Sequence, residues 1–550
     1  MCRDIKILAH IFLFQGDIVG LNKEQELAVN CKDNKILCLA GAGTGKTYTM
    51  IQRIYQMVQN GIDPKSILVL TFTNAAAFEM QERYLKLVSD KTNIPMFKTF
   101  HGFCYHLIVT DPIVRSALGY QNIPEIISDE ALDFMILELT LRLGIKLSKR
   151  KLMTGQNLSM KDEFQYQTFL KAFHTELHKH NLITYDDLCE GVCKLFKMNN
   201  LVIQQYKLQY KHILVDEFQD TDQMQFDFIN SFKDSDLFVV GDALQAIYGF
   251  RGADSSIIKS LSRDPNWTTI RLYQNYRSDK YICETANKYS TYADESYRVE
   301  LEPVSDKPGT TVAQTLYSLD DFITKCDTIL SRTTGSVAIL ARTNQETNSI
   351  KEKLIEKGIT ISKEISDDTI DILKSIADDE YAISWLSTKL SMSDCSMLIK
   401  ARHLNPDYSY DDFESHFGSK QAISDLMAMI TDIHKTMAES TDFEQTCISI
   451  AHRFGIQTVV PPTCSTYKEF CDYLISIYEP DKAMINDQRH IHVGTIHSSK
   501  GLEYDTVILY GVAGNMFKLD DEENKNLLYV GITRAKHNLY MFCSGVLNEI

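Results

Sequence analysis

Cys38-Leu39-Ala40-Gly41-Ala42-Gly43-Thr44-Gly45-Lys46-Thr47 is the stretch whose reading decides the fold. An apolar run, Ile36 to Ala40, leads into it, and a helical pattern, Thr49 to Val58, leads out. In a strand, glycine-rich turn and helix of this kind, successive backbone N–H groups curl around phosphate oxygens. The helix N-terminus aims its partial positive charge at the same anion. Lys46 would reach the terminal phosphates, and the Thr47 hydroxyl would bind Mg²⁺. The first place of the usual G-x-x-x-x-G-K-[ST] pattern is Ala40 rather than glycine. The expected phosphate cradle is Ala40, Gly41, Ala42, Gly43, Thr44, Gly45, Lys46 and Thr47.

The chain has 550 residues, too many for one core, so three or four folding units are expected. It is 44% hydrophobic and 24% charged, an ordinary globular composition. The net charge of −16 argues against a polyanion-binding surface over the whole chain but leaves room for a local basic groove. The thirteen cysteines read as scattered reduced thiols. Only Cys189 and Cys193 come close to a metal spacing, and no second pair accompanies them. The apolar Ile5–Phe14 run lacks a small-residue cleavage site and reads as a terminal strand or helix. No stretch of eighteen apolar residues exists, so no membrane contact is expected and the localisation reads as cytoplasmic.

Other segments extend the α/β pattern. Gln25 opens a helical stretch, and its amide can both donate to and accept from an adenine edge. His212–Val215 predicts a strand ending in two acids. Asp216 would hold the Mg²⁺ shell and Glu217 would polarise the attacking water. Leu237–Gly241 predicts the next strand, and Gln245 beyond it is placed to sense a γ-phosphate. Phe72, Phe100 and His101 read either as core residues or as stacking platforms for unpaired bases, and Tyr248, Phe250 and Arg251 form an aromatic-cation cluster suited to stacked bases.

Two stretches break the pattern. Residues 110–205 read as helical, with Ser128 capping a helix over Asp129–Leu143. Residues 371–488 are helical and polar, with candidate helices at Ile376–Leu390, Ala422–Met437, Phe443–Phe454 and Tyr467–Tyr478 and a break at Pro461-Pro462. A second α/β half carries strands at Ser336–Ala341, Ile359–Ser362, His490–Thr495, Thr506–Tyr510 and Asn538–Phe542. Two α/β halves with one P-loop imply a cleft in which the second half brings arginines to the γ-phosphate. Arg277 and Arg534 are the candidates.

The chain resembles the UvrD/Rep/PcrA-type helicases of superfamily one, as a compact member. The resemblance runs through LNKEQELAV (Leu21–Val29), AGAGTGKT (Ala40–Thr47), LTFTNAAAFEM (Leu70–Met80) and TFHGF (Thr99–Phe103). It continues through LVDEFQDTDQMQ (Leu214–Gln225), VVGDALQAIYGFRGA (Val239–Ala253) and QNYRS (Gln274–Ser278). It closes with VGTIHSSKGLEYD (Val493–Asp505) and LLYVGITRAKHNL (Leu527–Leu539). An alanine at the first P-loop place is normal for this family.

The resemblance implies two RecA-like P-loop NTPase domains, parallel sheets with flanking helices, and two helical insert subdomains. The first motor domain would comprise 1–109 and 206–279, interrupted by an insert (1B) at 110–205. The second would comprise 280–370 and 489–550, interrupted by a compact insert (2B) at 371–488. By position, Lys46, Thr47, Asp216, Glu217, Gln245, Arg277 and Arg534 match the ATPase centre. Gln25 and Tyr276 match adenine contacts, and Gly501 and Glu503 match places linking ribose and phosphate sensing to the DNA track. Phe72, His101, Tyr248, Phe250, Arg251, Thr495 and His497 match single-strand contacts. Phe250 stands where the family usually has Trp, and Ala75 where it usually has Lys. The expected activity is an ATP- and Mg²⁺-dependent helicase moving 3′→5′ on single-stranded and tailed duplex DNA. A protein partner would meet the 2B insert, as in the family. The alternatives are a DNA-stimulated ATPase subunit that clears or remodels DNA for a partner and, since phosphate and stacking contacts do not exclude RNA, an RNA-directed motor. No nuclease-like stretch follows the last motif, so a fused nuclease is not expected.

Overall fold

The computed structural model describes residues 20–155, 158–198, 201–232, 234–359, 372–376, 382–383, 386, 397–398, 408–420, 424–440, 442–453, 460, 466–478, 491–512, 519 and 521–543. The Ile5–Phe14 run, Pro461-Pro462, most of Ile376–Leu390 and residues 360–362 of the strand expected at Ile359–Ser362 lie outside these. Ile359 itself is not in a strand.

The chain divides into two compact units. One comprises Met1–Thr110, Cys189–Ser362 and Asp487–Ile550, and the other Asp111–Leu188 and Lys363–Asn486. The first unit holds two parallel sheets. In the first sheet β1 is Lys35–Ala40, β2 Ile67–Thr71, β3 Met96–Thr99, β4 His212–Val215, β5 Asp236–Gly241 and β6 Thr268–Leu272, in the order β3-β2-β4-β5-β1-β6. In the second, β7 is Thr310–Thr315, β8 Val337–Ala341, β9 Ile491–Thr495, β10 Tyr504–Val512 and β11 Ala535–Cys543, in the order β7-β11-β10-β8-β9. All pairings in both sheets are parallel.

Helices cover both faces of such sheets, so their strands read as unbroken apolar runs. Ile67-Leu68-Val69-Leu70 is buried throughout. Ile36, Cys38, Val69, Leu214, Val240 and Ile270 share one core with Met50 and Ile54 of the helix after the P-loop. In the second sheet Ile339, Val493 and Ile508 pack against Phe322, Cys326 and Ile350. This topology places the carboxyl ends of β1, β4 and β5 side by side, where open α/β sheets bind ligands.

The second unit is mainly helical in its described residues. The helix Asp129–Leu143 starts where the Ser128 hydroxyl accepts from the Ala131 N–H at 3.2 Å and stops at Gly144, whose φ is 64°. Leu139 packs with Phe169, Phe173 and Leu177 of the helix Met160–Lys179. A separate core joins Leu373, Phe413, Ile430, Ile450 and Phe470. The helices Ser424–Glu439, Phe443–Arg453 and Tyr467–Tyr478 stand close to their expected bounds.

Candidate functional site

The glycine-rich turn runs from the buried end of β1 into the helix Lys46–Gln59. Gly45 caps that helix in the left-handed region, at φ 82° and ψ 35°. Gly43 is also left-handed, at φ 71°, and a Cβ there would stand 2.7 Å from Cβ of Arg277. Both positive φ and the close approach require glycine at 43. The turn's carbonyls are held from outside. Asn275 Nδ2 donates to the Ala42 carbonyl at 2.7 Å, and the Tyr276 N–H to that of Gly43 at 2.9 Å. Gln25 Nε2 donates to the Thr44 carbonyl at 3.1 Å.

Gln25 thus braces the turn. It is buried and closes a capping box with Asn22, whose N–H donates to Gln25 Oε1 at 3.1 Å. Tyr276 offers an exposed ring, with its hydroxyl accepting from Asn22 Nδ2 at 2.9 Å and donating to Gln274 Oε1 at 3.0 Å.

The acids lie at the end of β4. Asp216 is buried, and burial, with Glu217 next, pushes its carboxyl up to about 7 against the pull of Lys46. The Thr47 hydroxyl hydrogen-bonds to it. A hydroxyl and a carboxylate side by side form the hard-oxygen donor set that suits Mg²⁺. Glu217 is one of two described non-glycine residues with positive φ, at 48°. That conformation costs of order 1–3 kcal/mol and turns the side chain back towards the P-loop. Its Oε2 lies 3.6 Å from Lys46 Nζ and accepts from Gln219 Nε2 at 2.6 Å. Gln219 Oε1 in turn accepts from the Asp242 N–H at 2.9 Å. Gln245 Nε2 donates to Asp242 Oδ2 at 2.7 Å, which fixes the amide and turns its oxygen outward.

Cations reach this edge from Arg534, directly before β11, and from Arg277, which follows β6 of the first sheet. Arg534 is 1% exposed. Its Nε and Nη1 donate to the carbonyls of Val530 and Leu502, each at 3.1 Å, and Nη2 to Gln245 Oε1 at 3.2 Å. Burial, and then Arg277, hold its pKa down to about 9, so it is still a cation at neutral pH. Arg277 Nε donates to Glu503 Oε2 at 2.7 Å and Nη1 to the Thr533 carbonyl at 3.1 Å. Lys536 Nζ holds the other oxygen of Glu503 at 2.8 Å.

A row of rings lies beside this centre. Phe72 and Tyr248 stack at 5.6 Å with an 8° interplanar angle. Phe250 meets Tyr248 edge-on at 6.1 Å and His497 at 5.6 Å. Phe250 is 65% exposed, a large apolar ring left open to solvent. Thr495 Oγ1 accepts from the Ser498 N–H at 3.2 Å, in the turn that presents His497. His101 is the second residue of the helix Phe100–Thr110 after β3, and Arg251 ends the short turn Gly249–Arg251.

The UvrD/REP helicase N-terminal domain family matches residues 21–266, and the UvrD-like helicase C-terminal domain family matches 270–370 and 405–545. The chain belongs to the UvrD/Rep helicase family. An ATP-dependent DNA helicase PcrA of Bacillus subtilis is 27% identical over 95% of this chain and 82% of that protein. An ATP-dependent DNA helicase UvrD1 of Mycobacterium tuberculosis is 26% identical over 95% and 82%.

In this UvrD/Rep helicase several site residues had no role assigned from sequence. Lys500 Nζ reaches Asp220 Oδ2 at 2.6 Å and Oδ1 at 2.8 Å, and donates to the Gln245 carbonyl at 2.8 Å. It also lies over the Tyr248 ring at 4.6 Å. Its side chain is 8% exposed and that of Asp220 is 1% exposed. Asn275, Gln219 and Asp242 brace the P-loop, Glu217 and Gln245. All five fall inside the family motifs. That was the signal available, but it does not say which residues meet.

Proposed function

We propose that this chain is an ATP- and Mg²⁺-dependent motor that moves 3′→5′ along single-stranded DNA and unwinds duplex ahead of it. The observation that carries the reading is the contact across the two sheets. Arg534 of the second half rests on Gln245 of the first, while Lys46 and Glu217 stand together at the P-loop edge. Preorganised cations aimed at a transferring phosphoryl group act mainly by electrostatic stabilisation. ATP is the substrate of this cleft. Ala40 to Thr47 bind its phosphates, Tyr276 stacks on the base, Gln25 keeps the turn in shape, and Glu503 positions Arg277. Thr47 and Asp216 would hold Mg²⁺, which supplies charge neutralisation on the phosphates when bound. Glu217 orients the water, and Arg277 and Arg534 stabilise the charge that develops. Gln245 senses the γ-phosphate and passes its state to the second half through Arg534.

The rings Phe72, Tyr248, Phe250 and His497 form the track on which bases stack, with His101, Arg251 and Thr495 beside it. Stacking on one ring is worth about 1–3 kcal/mol per base by alanine substitution. Phe250→Ala is therefore expected to weaken single-strand binding about tenfold or more at fixed salt while leaving ATP hydrolysis without DNA unchanged. Fluorescence anisotropy with a labelled oligonucleotide measures the first, and a phosphate-release assay the second.

Direction and unwinding are tested together by strand displacement on duplexes with a 3′ or a 5′ single-stranded tail. Displacement from the 3′ tail is expected. Displacement from the 5′ tail alone removes the polarity. DNA-stimulated hydrolysis without displacement from either tail moves the reading to a DNA-clearing ATPase.

A further inference from the structure

Ten cysteines are described as free, and three of them converge. Cys104 lies on the helix Phe100–Thr110, and Cys189 and Cys193 lie on the helix Tyr185–Lys197. Their sulfur atoms all stand within 4.8 Å of one another, and the Cys104 and Cys189 Sγ atoms are 3.9 Å apart. All three residues are buried, at 1%, 0% and 5% exposure. We propose that Cys104, Cys189 and Cys193 form a structural zinc site that ties these two helices together.

The spacing fits. Zinc–thiolate bonds of about 2.3 Å in a tetrahedron place the sulfurs about 3.8 Å apart. Positions 189 and 193 are four apart on one helix, so both point the same way. Two rigid helices thus present three soft donors to one point before any metal arrives. A cluster made by ordinary core packing would mix thiols with larger apolar groups. Here the three sulfurs face one another. Each thiol that binds zinc loses its proton to solvent, and no electron is transferred.

His101, one turn before Cys104 on the same helix, stands outside this cluster and would complete it by turning its ring towards the sulfurs. Cys₃His is an established structural zinc set. The consequence is local and mechanical. The helix Phe100–Thr110 begins directly after β3, at the motif Thr99–Phe103. A metal clip there would fix the first turn of that helix, which carries His101, against the helix Tyr185–Lys197.

The test uses the full chain, purified under reducing conditions from cells grown with zinc. One zinc per chain is expected by elemental analysis, released when the thiols are modified. Cobalt(II) added to metal-stripped protein should give the intense visible bands of a tetrahedral site with sulfur-to-metal charge transfer. Cys189→Ala and Cys193→Ala should each lose the metal, while Cys31→Ser, at a half-exposed cysteine elsewhere, should keep it. His101→Ala should retain zinc but lose it faster to a chelator; an unchanged rate removes His101 from the shell. Should a core cysteine variant fail to fold, the wild-type cobalt spectrum still decides. Substoichiometric zinc with no thiolate–cobalt spectrum overturns the proposal. So does a Cys104–Cys189 disulfide in metal-free protein, or zinc retained in both the 189 and 193 variants.

Discussion

Glu217→Gln is expected to bind ATP as the parent does and to hydrolyse it about a thousandfold more slowly. The substitution keeps size and shape, and the new amide can present its oxygen to Gln219 Nε2, which now donates to Glu217 at 2.6 Å. The strained backbone at φ 48° is therefore retained. What changes is charge. Burial works to raise the Glu217 pKa, but Lys46, Lys500, the Gln219 hydrogen bond and Arg534 outweigh it and hold the carboxyl down to about 2. It is ionised throughout the neutral range, and so weak a base orients and polarises a water rather than taking its proton early. An amide oxygen still accepts hydrogen bonds but lacks the charge that aligns the water. Nucleotide affinity by fluorescence and turnover by phosphate release separate the two effects. A rate within about tenfold of the parent, at unchanged affinity, assigns the water to another group.

How much of this site could be read before the structure depended on whether its parts are contiguous. The P-loop and the Asp216-Glu217 pair were legible because their chemistry demands neighbouring residues on a strand end. The strands Ile67–Thr71 and Val337–Ala341 were legible because both faces are covered and every position but Thr71 is apolar. The strand Thr310–Thr315 was not. It pairs with β11 alone at the sheet edge, and its residues Thr-Thr-Val-Ala-Gln-Thr are half-exposed or exposed, so it shows no apolar run. Gln25 was legible as part of the site, but its burial behind the turn depends on Asn22 and Thr44, which the motif does not rank. Local spacing also hides a convergence of thiols: Cys104, which the fold brings beside Cys189 and Cys193, lies 85 residues from Cys189 along the chain. Pairing over such distances is fixed by strand order, which local spacing does not carry.

Lys500→Met is expected to disconnect the DNA track from ATP hydrolysis. Lys500 belongs to the second half, yet its ammonium reaches into the first: both oxygens of Asp220, the Gln245 carbonyl and the face of Tyr248. Tyr248 stacks on Phe72, and Gln245 is held by Arg534, so one ammonium touches both the ring track and the phosphate sensor. A base that shifts Tyr248 must therefore disturb the same group that fixes Gln245. Coupling between sites of this kind is worth about 1–3 kcal/mol, or roughly 5- to 150-fold. The ratio of DNA-stimulated to basal ATPase should fall about tenfold or more. The fold should survive, because Asp220 can take up a proton. Burial already raises its carboxyl to about 6 even with Lys500 opposing, and removing that cation raises it further. A carboxyl whose folded pKa exceeds its unfolded value gives its stability below the unfolded pKa and loses it as pH rises through the folded one. The variant's melting temperature should thus fall above about pH 6 more steeply than the parent's. Lys259→Met is the control. It breaks a partly exposed pair with Glu522 across the same two halves, and such pairs contribute about 0–1 kcal/mol. Equal loss of stimulation in both variants would mean that any cross-half ion pair suffices, and Lys500 would lose its place between track and sensor.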